Sequence, residues 1–269
     1  TTHKVRTMLT ILGIVIGITA ITIVTSLGES ARGFLLNELE SFGTNNVTVV
    51  PGKEGDFSGL NDSLKEKDVV ALRNKGNVPD ATLIVPFVFG NAIVIYESER
   101  FNAPLLGASP GNQDLDKLEM AEGDFITDED AEQKAAVVIL GSKIKEELFG
   151  SSDALGKRVK FDEKSYRVIG VLEPKGQSLF VNYDNVAIVP YTTAQQYILG
   201  YNYLQQIIVA TDDAAKVPGL LRDVERTMRD SHNIDDPEND DFNVQTSEDT
   251  AAIFTTFTAT LTAILGSVA

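Results

Sequence analysis

The run MLTILGIVIGITAITIVTSL, residues 8–27, is 20 residues long and carries no charge. A helix of that length is about 30 Å long and matches the hydrocarbon thickness of a bilayer, so the run reads as a transmembrane helix. A secretory signal is the rival reading, but its apolar region spans about 7–15 residues and ends at an A-x-A-like site. Here the run is longer, and Ser26-Leu27-Gly28 passes into an acidic helix rather than a linker. His3, Lys4 and Arg6 precede the run and Glu29 follows it. The positive-inside bias therefore places the N-terminus in the cytoplasm and residues 29–249 outside it. Within the run, Gly13-Ile-Val-Ile-Gly17 has the G-x-x-x-G spacing that lets a second helix approach closely. Gly13 and Gly17 are the candidate helix-packing residues.

Residues 250–269, TAAIFTTFTATLTAILGSVA, again hold no charge, although six threonines make them less apolar. They read as a helix entering a second span. The chain opens on Thr1 and stops inside this apolar run, so the expectation is a fragment of a longer protein. All 39 acidic residues, but only 21 of the 23 Lys and Arg, lie between the two runs, giving that segment a formal charge of −18. Such acidity suits a solvated domain away from an anionic leaflet and leaves nucleic-acid binding without electrostatic support.

Several chemistries are excluded by residue type. The chain has no cysteine, hence no disulfide, thiolate nucleophile or cysteine metal site. Its two histidines, His3 and His232, are far apart, and His232 is expected in a polar loop. Gly150 and Gly156 are separated by five residues and followed by Lys157-Arg158. A phosphate loop needs four residues between its glycines and Ser or Thr after the Lys, so this reads as a helix stop, a turn and a strand. The acidic stretch 235–241 lacks the register of a calcium loop and reads as a solvated connection. No catalytic, cofactor-binding or metal-ligating residue is therefore expected.

The segment between the runs reads as α+β. Residues 31–42 continue the first span as a stalk helix to Gly43, and 53–61 form a polar loop. Strand, helix, strand patterns occur at 45–50, 66–75 and 82–88, and again at 205–211, 217–229 and 242–245. Leu220, Leu221, Val224 and Met228 mark the inner face of the last helix, and Ser247 can cap the helix that follows. Two such units far apart in sequence are expected to pair into one small sheet with two helices on a face. The insertion between them has strand patterns at 92–97, 101–106, 136–140, 158–161, 166–172 and 185–189, and short helices at 142–149 and 193–199. Thr127 before Asp128-Glu129-Asp130 marks a further helix start.

An ordered set of short motifs now accumulates. Leu9-Thr-Ile-Leu-Gly13-Ile-Val-Ile-Gly17 is followed by Val49-Val50-Pro51-Gly52, Leu106-Gly107-Ala108-Ser109-Pro110 and Val137-Val-Ile-Leu-Gly141. Leu148-Phe149-Gly150, Leu155-Gly156-Lys157, Arg167-Val-Ile-Gly170-Val171, Ile188-Val-Pro190-Tyr-Thr192-Thr193-Ala194 and Leu261-Thr-Ala-Ile-Leu265-Gly266 complete it. Together they resemble the MacB-type (macrolide exporter) ABC transporter permeases over nearly the whole chain. One departure is Gly123-Asp124, where that family usually has Gly-Arg.

The resemblance implies a membrane-anchored ectodomain with a discontinuous β-α-β porter-like subdomain and an inserted, strand-rich Sabre-like subdomain, flanked by transmembrane helices. The divisions are 1–28 first span, 29–43 stalk, 44–85 and 205–246 porter-like, 86–204 Sabre-like, and 247–269 stalk and second span. It implies a permease of the cell (cytoplasmic) membrane that works with a second copy and an ABC ATPase subunit or fused domain. A membrane-fusion adaptor protein and membrane lipid are further partners; ATP and Mg belong to the ATPase, with no cofactor in this chain. Mechanotransmission would carry ATP-driven motion to the ectodomain for efflux. Lipoprotein release and FtsX-like control of a cell-wall hydrolase are alternative roles within the family. A two-span sensory receptor has the same layout, and a tethered hydrolase is the least supported reading because His232 is its only ectodomain histidine.

Overall fold

The computed structural model describes residues 2–41, 45–53, 62–178, 181–252, 255, 256 and 260. It comprises two compact units, residues 1–43 with 247–269, and residues 44–246. In the first unit, α1 (Thr2–Ser41) is a single helix of 40 residues, about 60 Å long. The residues of the expected second span after 260, and most of the polar loop at 53–61, lie outside the described residues.

The second unit is built on ten strands: β1 (Asn46–Pro51), β2 (Leu83–Tyr96), β3 (Glu99–Ala108), β4 (Met120–Gly123), β5 (Val137–Leu140), β6 (Arg158–Phe161), β7 (Lys164–Leu172), β8 (Ala187–Pro190), β9 (Gln206–Ala210) and β10 (Phe242–Thr246). Its helices are α2 (Glu66–Arg73), α3 (Gly111–Leu115), α4 (Asp128–Glu132), α5 (Ser142–Phe149), α6 (Tyr191–Thr193), which runs on into a π-helical turn Ala194–Leu199, and α7 (Val217–His232).

The two β-α-β units interleave. The order β10-β1-β9-β2 is antiparallel throughout and places β9 between β1 and β2, and β1 between β9 and β10. Each unit thus straddles a strand of the other, so neither sheet half forms without both ends of the chain segment. Helices α2 and α7 bury Val69, Leu72, Leu220, Val224 and Met228 in one cluster with Val47, Val49, Ile207 and Val209 of the strands.

β2 corrects the strand pattern expected from sequence. Residues 82–88 and 92–97 are not two strands but parts of one, 14 residues long. Its first part, Leu83–Phe87, pairs with β9, and its second part, from Val88 onward, pairs with β3. One strand is therefore common to both sheet regions. From β2 the ladder runs through β3, β8, β5 and β7, and β6 pairs with both β7 and the far end of β2. That closes β2-β3-β8-β5-β7-β6 into a ring without free edges between its members, which removes the aggregation hazard of open strands. Two-residue turns at Glu97-Ser98 and Asp162-Glu163 join β2 to β3 and β6 to β7, with Glu97 and Asp162 at positive φ as such tight hairpins require.

Alternation along the strands sorts side chains to two faces. Val138, Leu140, Ala187 and Val189 join the cluster under α2, α5 and α7, whereas Ile139 and Ile188 join a second one with Leu115, Phe125, Ile126 and Tyr183. Short strand β4 and helix α3 had no periodic signal and were missed by the sequence reading. At Thr127 the expected cap is present: Thr127 Oγ1 accepts from Asp130 N, and Thr127 N donates to Asp130 Oδ2 at 3.0 Å.

Candidate functional site

Gly13 and Gly17 sit one helical turn apart in α1. The apolar segment Thr7–Gly28 has mean hydropathy 2.4, and none of it is buried. Leu9, Ile11, Ile14, Ile16 and Ile18 are all exposed, so the helix is apolar around its circumference rather than along one stripe. A methyl group placed at either glycine would meet nothing within 4 Å, leaving a shallow notch in an otherwise bulky surface. Hydroxyls are masked along the way: Thr22 Oγ1 donates to Ile18 O at 2.9 Å and Thr25 Oγ1 to Thr22 O at 3.1 Å. The same bond from Thr255, Thr256 and Thr260 to the carbonyl four residues earlier makes the threonine-rich C-terminal helix less polar than its composition suggests.

The ectodomain contains a buried charge cluster that the sequence reading placed wrongly. His232 is not in a polar loop but is the last residue of α7, with its side chain only 5% exposed. Its Nδ1 lies 2.6 Å from Asp241 Oδ1, at the start of β10. Its Nε2 lies 3.2 Å from Asp68 Oδ2 of α2, misaligned for a hydrogen bond, so that contact is chiefly one of charge. The imidazole also packs edge-on against Phe242. Ser231 Oγ donates to Asp68 Oδ1 at 2.5 Å, and Lys65 N donates to Asp68 Oδ2 at 2.7 Å. This is not a nucleophile–base pair, because the serine proton is directed to the aspartate and not to the imidazole. It is a clamp that ties α2, α7 and β10 together.

Both sides of the clamp favour charge. The Asp68 carboxylate, ahead of Asp241, raises the His232 pKa above its usual value despite burial. Burial opposes ionisation of Asp68, but the contact with His232 and hydrogen bonds from Ser231 and the Lys65 amide together hold it below the usual carboxylate range. The raised histidine contributes stability that is complete below pH about 6.5 and is lost as pH rises through its folded value; the lowered aspartate contributes above about 3.8 and loses it as pH falls. Stability should therefore decline as pH rises above about 6.5 through the raised histidine value, and His232→Gln should flatten that limb. Thermal unfolding of both forms across this range checks it; parallel profiles would refute the clamp. Asp116, whose carboxyl burial pushes up to about 6, titrates on the acidic side of that window and is unchanged by the substitution.

Other candidates from the sequence resolve into structural roles. Gly150 is the C-cap of α5 with φ +56, and Gly156 turns the chain into β6 with φ +76. In the acidic stretch, Asp236 caps a short turn through Glu238 N, Asp240 holds Arg229 through three hydrogen bonds of 2.9–3.0 Å, and Asp241 holds His232. Among the described residues no group of three or more His, Asp or Glu side chains is placed to hold a metal ion. Asp124, after Gly123, donates its backbone N–H to Ile169 O at 3.1 Å, a bond indifferent to its side chain.

A family model described as the MacB-like periplasmic core domain matches residues 7–227. The macrolide export ATP-binding/permease protein MacB of Bdellovibrio bacteriovorus is 27% identical over 99% of this chain, and that of Shewanella sp. is 31% identical over 87%. The chain spans only 42% and 36% of their respective lengths. Among solved structures, the periplasmic region of MacB from Actinobacillus actinomycetemcomitans superposes with a TM-score of 0.68 at 22% identity, covering 81% of this chain and 96% of that one. The extracellular domain of the ABC-type transporter YknZ from Gram-positive bacteria gives a TM-score of 0.61 at 23% identity, covering 75% of this chain and all of that domain. At these identities the superpositions establish the fold.

Proposed function

The chain belongs to the MacB-like periplasmic core domain family of MacB-type ABC transporter permeases, and from that premise we propose that its ectodomain is moved by cytoplasmic ATP hydrolysis to drive efflux of a substrate from the extracytoplasmic side. The observation that carries this reading is α1. A single helix contains the apolar segment Thr7–Gly28 and continues without a break to Ser41. A rigid rod extending past a membrane span transmits displacement, whereas a Gly/Ser linker would absorb it. On this reading the N-terminus is cytoplasmic, residues 29–249 are extracytoplasmic, and the chain lies in the cytoplasmic membrane. Residues 44–85 with 205–246 act as the porter-like part and 86–204 as the Sabre-like part.

The proposed partners follow. An ABC ATPase, separate or fused, supplies nucleotide hydrolysis with ATP and Mg. A second copy of the permease packs through the Gly13/Gly17 notch, where two helices gain close dispersion contact in lipid. A membrane-fusion adaptor protein is a further candidate partner on the extracytoplasmic side.

Residues 1–269 hold no cysteine, so once any cysteine elsewhere in the assembly is replaced, one introduced label reports one site. A single spin label at Lys160→Cys, an exposed position of β6, reports the distance between two copies of the full-length permease assembled with its ATPase. The expected result is a distance distribution that shifts between the nucleotide-free and Mg-ATP states. Identical distributions in both states would overturn mechanotransmission. In the same sample Gly17→Leu should lower the dimeric fraction, and an unchanged fraction would remove the packing role of the notch.

A further inference from the structure

A groove of about 830 Å³ opens on the ectodomain beside α2 and the π-helical turn, within the usual size range of small-ligand sites. Lys65, the N-cap of α2, and Lys67 within it enter the groove, with Lys134 from the turn after α4, Gln196 from the π-helical turn, and Tyr201 and Asn202 from the loop before β9. Three lysines thus line one groove in a chain whose formal charge is −16.

Those charges are poorly compensated. Lys67 Nζ donates to Ser231 O at 2.7 Å and Lys134 Nζ to Gln196 Oε1 at 2.5 Å, both neutral oxygens. Lys65 bonds Asn202 Oδ1 at 3.2 Å and is the one of the three with a carboxylate within 4.0 Å among the described residues, the exposed Asp62. The one lining carboxylate, Glu66, is drawn away by the Tyr191 hydroxyl, which donates to its Oε1 at 2.8 Å. Desolvation there raises the Glu66 carboxyl above its ordinary value, against the hydrogen bond and the attraction of Arg73 and Lys134.

Tyr201 gives the groove a fixed aromatic lining. Tyr201 stacks on Tyr203 with ring centroids 4.3 Å apart. Its hydroxyl donates to Phe89 O at 2.7 Å and accepts from Gln205 Nε2 at 2.7 Å, so the ring is held before any ligand arrives. Pre-ordering of this kind lowers the entropy lost on binding. The neighbouring π-helical turn is a rare conformation that concentrates at functional positions.

We propose that this groove binds a small carboxylate-bearing ligand, its anionic group among Lys67, Lys134 and Lys65 and its planar or apolar part against Tyr201. Carboxylate fits better than phosphate because the lining holds no arginine fork to grip a phosphate through two parallel bonds.

The test is calorimetric titration of the full chain at low salt with three probes that share one ring: N-acetyltyrosine, N-acetyltyrosine amide and phenyl phosphate. N-acetyltyrosine should bind at least tenfold more tightly than the amide, with affinity falling as salt rises. Lys67→Gln with Lys134→Gln should weaken it about tenfold, and Tyr201→Ala should weaken both tyrosine probes alike. Lys134→Gln alone, at an exposed turn, carries the same prediction at smaller size should the double variant not fold. Equal affinity for acid and amide, indifference to the lysine substitutions, tighter binding of phenyl phosphate, or no binding of N-acetyltyrosine would each overturn the proposal.

Discussion

Gly141→Val is expected to destabilise the ectodomain by about 3 kcal/mol or more, lowering its thermal midpoint by roughly 6–12 °C. Gly141 is the N-cap of α5, directly after β5, with extended backbone at φ −63 and ψ 153. Its conformation is open to any residue, so strain in φ is not the issue. The constraint is the 3-10 turn Tyr183–Asn185, which crosses the β5–α5 junction at backbone contact. A Cβ at Gly141 would fall on the carbonyl oxygens of Tyr183 and Asp184 and lie 2.6 Å from the Asp184 carbonyl carbon. None of these atoms belongs to a flexible side chain.

The turn cannot retreat without cost, because it is held on three sides. Gly141 N donates to Val186 O at 2.9 Å, and Ser142 Oγ donates to Asp184 Oδ1 at 3.2 Å. The same Asp184 oxygen accepts from Lys175 N at 2.8 Å and Gly176 N at 3.1 Å, which holds its carboxyl below the usual range despite desolvation. Moving the turn to admit two methyl groups would break several of these bonds together. Gly219→Ala is the matching control: it lies in α7 with nothing within 4 Å, and should stabilise by about 0.5–1 kcal/mol through helix propensity. A Gly141→Val midpoint equal to that of Gly219→Ala would refute the close-approach argument.

Gly141 also shows what the sequence could and could not disclose. The residue stood out within Val137-Val-Ile-Leu-Gly141, yet nothing near it in sequence announces that residues 183–184 will press against it. Local signals were legible: the charge-free run in α1, the inner face of α7, the Thr127 cap and the two β-α-β patterns. Signals that depend on distant pairing were not. In β2, Gly90 and Asn91 read locally as a break. The strand nevertheless continues, because β9 takes one of its edges at Leu83–Phe87 and β3 the other from Val88 on, and because Gly90 leaves room for Leu199. His232 was misplaced for the same reason. Its acidic partner Asp68 is 164 positions earlier in the chain, and only the packing of α2 against α7 brings the two together.

The rod-like reading of α1 leads to the largest functional prediction. Beyond Gly28 the helix continues to Ser41, adding about 20 Å to the part that crosses the apolar segment. Inserting seven Gly/Ser residues between Ala31 and Arg32 should abolish the ATP-dependent change in ectodomain distance while leaving ATP hydrolysis itself measurable. Each glycine within a helix costs about 1 kcal/mol relative to alanine, so the insert would not remain helical and would behave as a flexible coil that absorbs displacement. Inserting seven helix-forming residues, such as Glu-Ala-Ala-Ala-Lys-Ala-Ala, at the same place lengthens the rod by about 10 Å and rotates it by only about 20°. That variant should retain the distance change. The pair separates rigidity from length, because both inserts add the same number of residues and only one preserves the helix. Retained motion with the Gly/Ser insert would mean that force reaches the ectodomain by a route other than α1, and loss with both inserts would mean that the length of the helix matters rather than its stiffness.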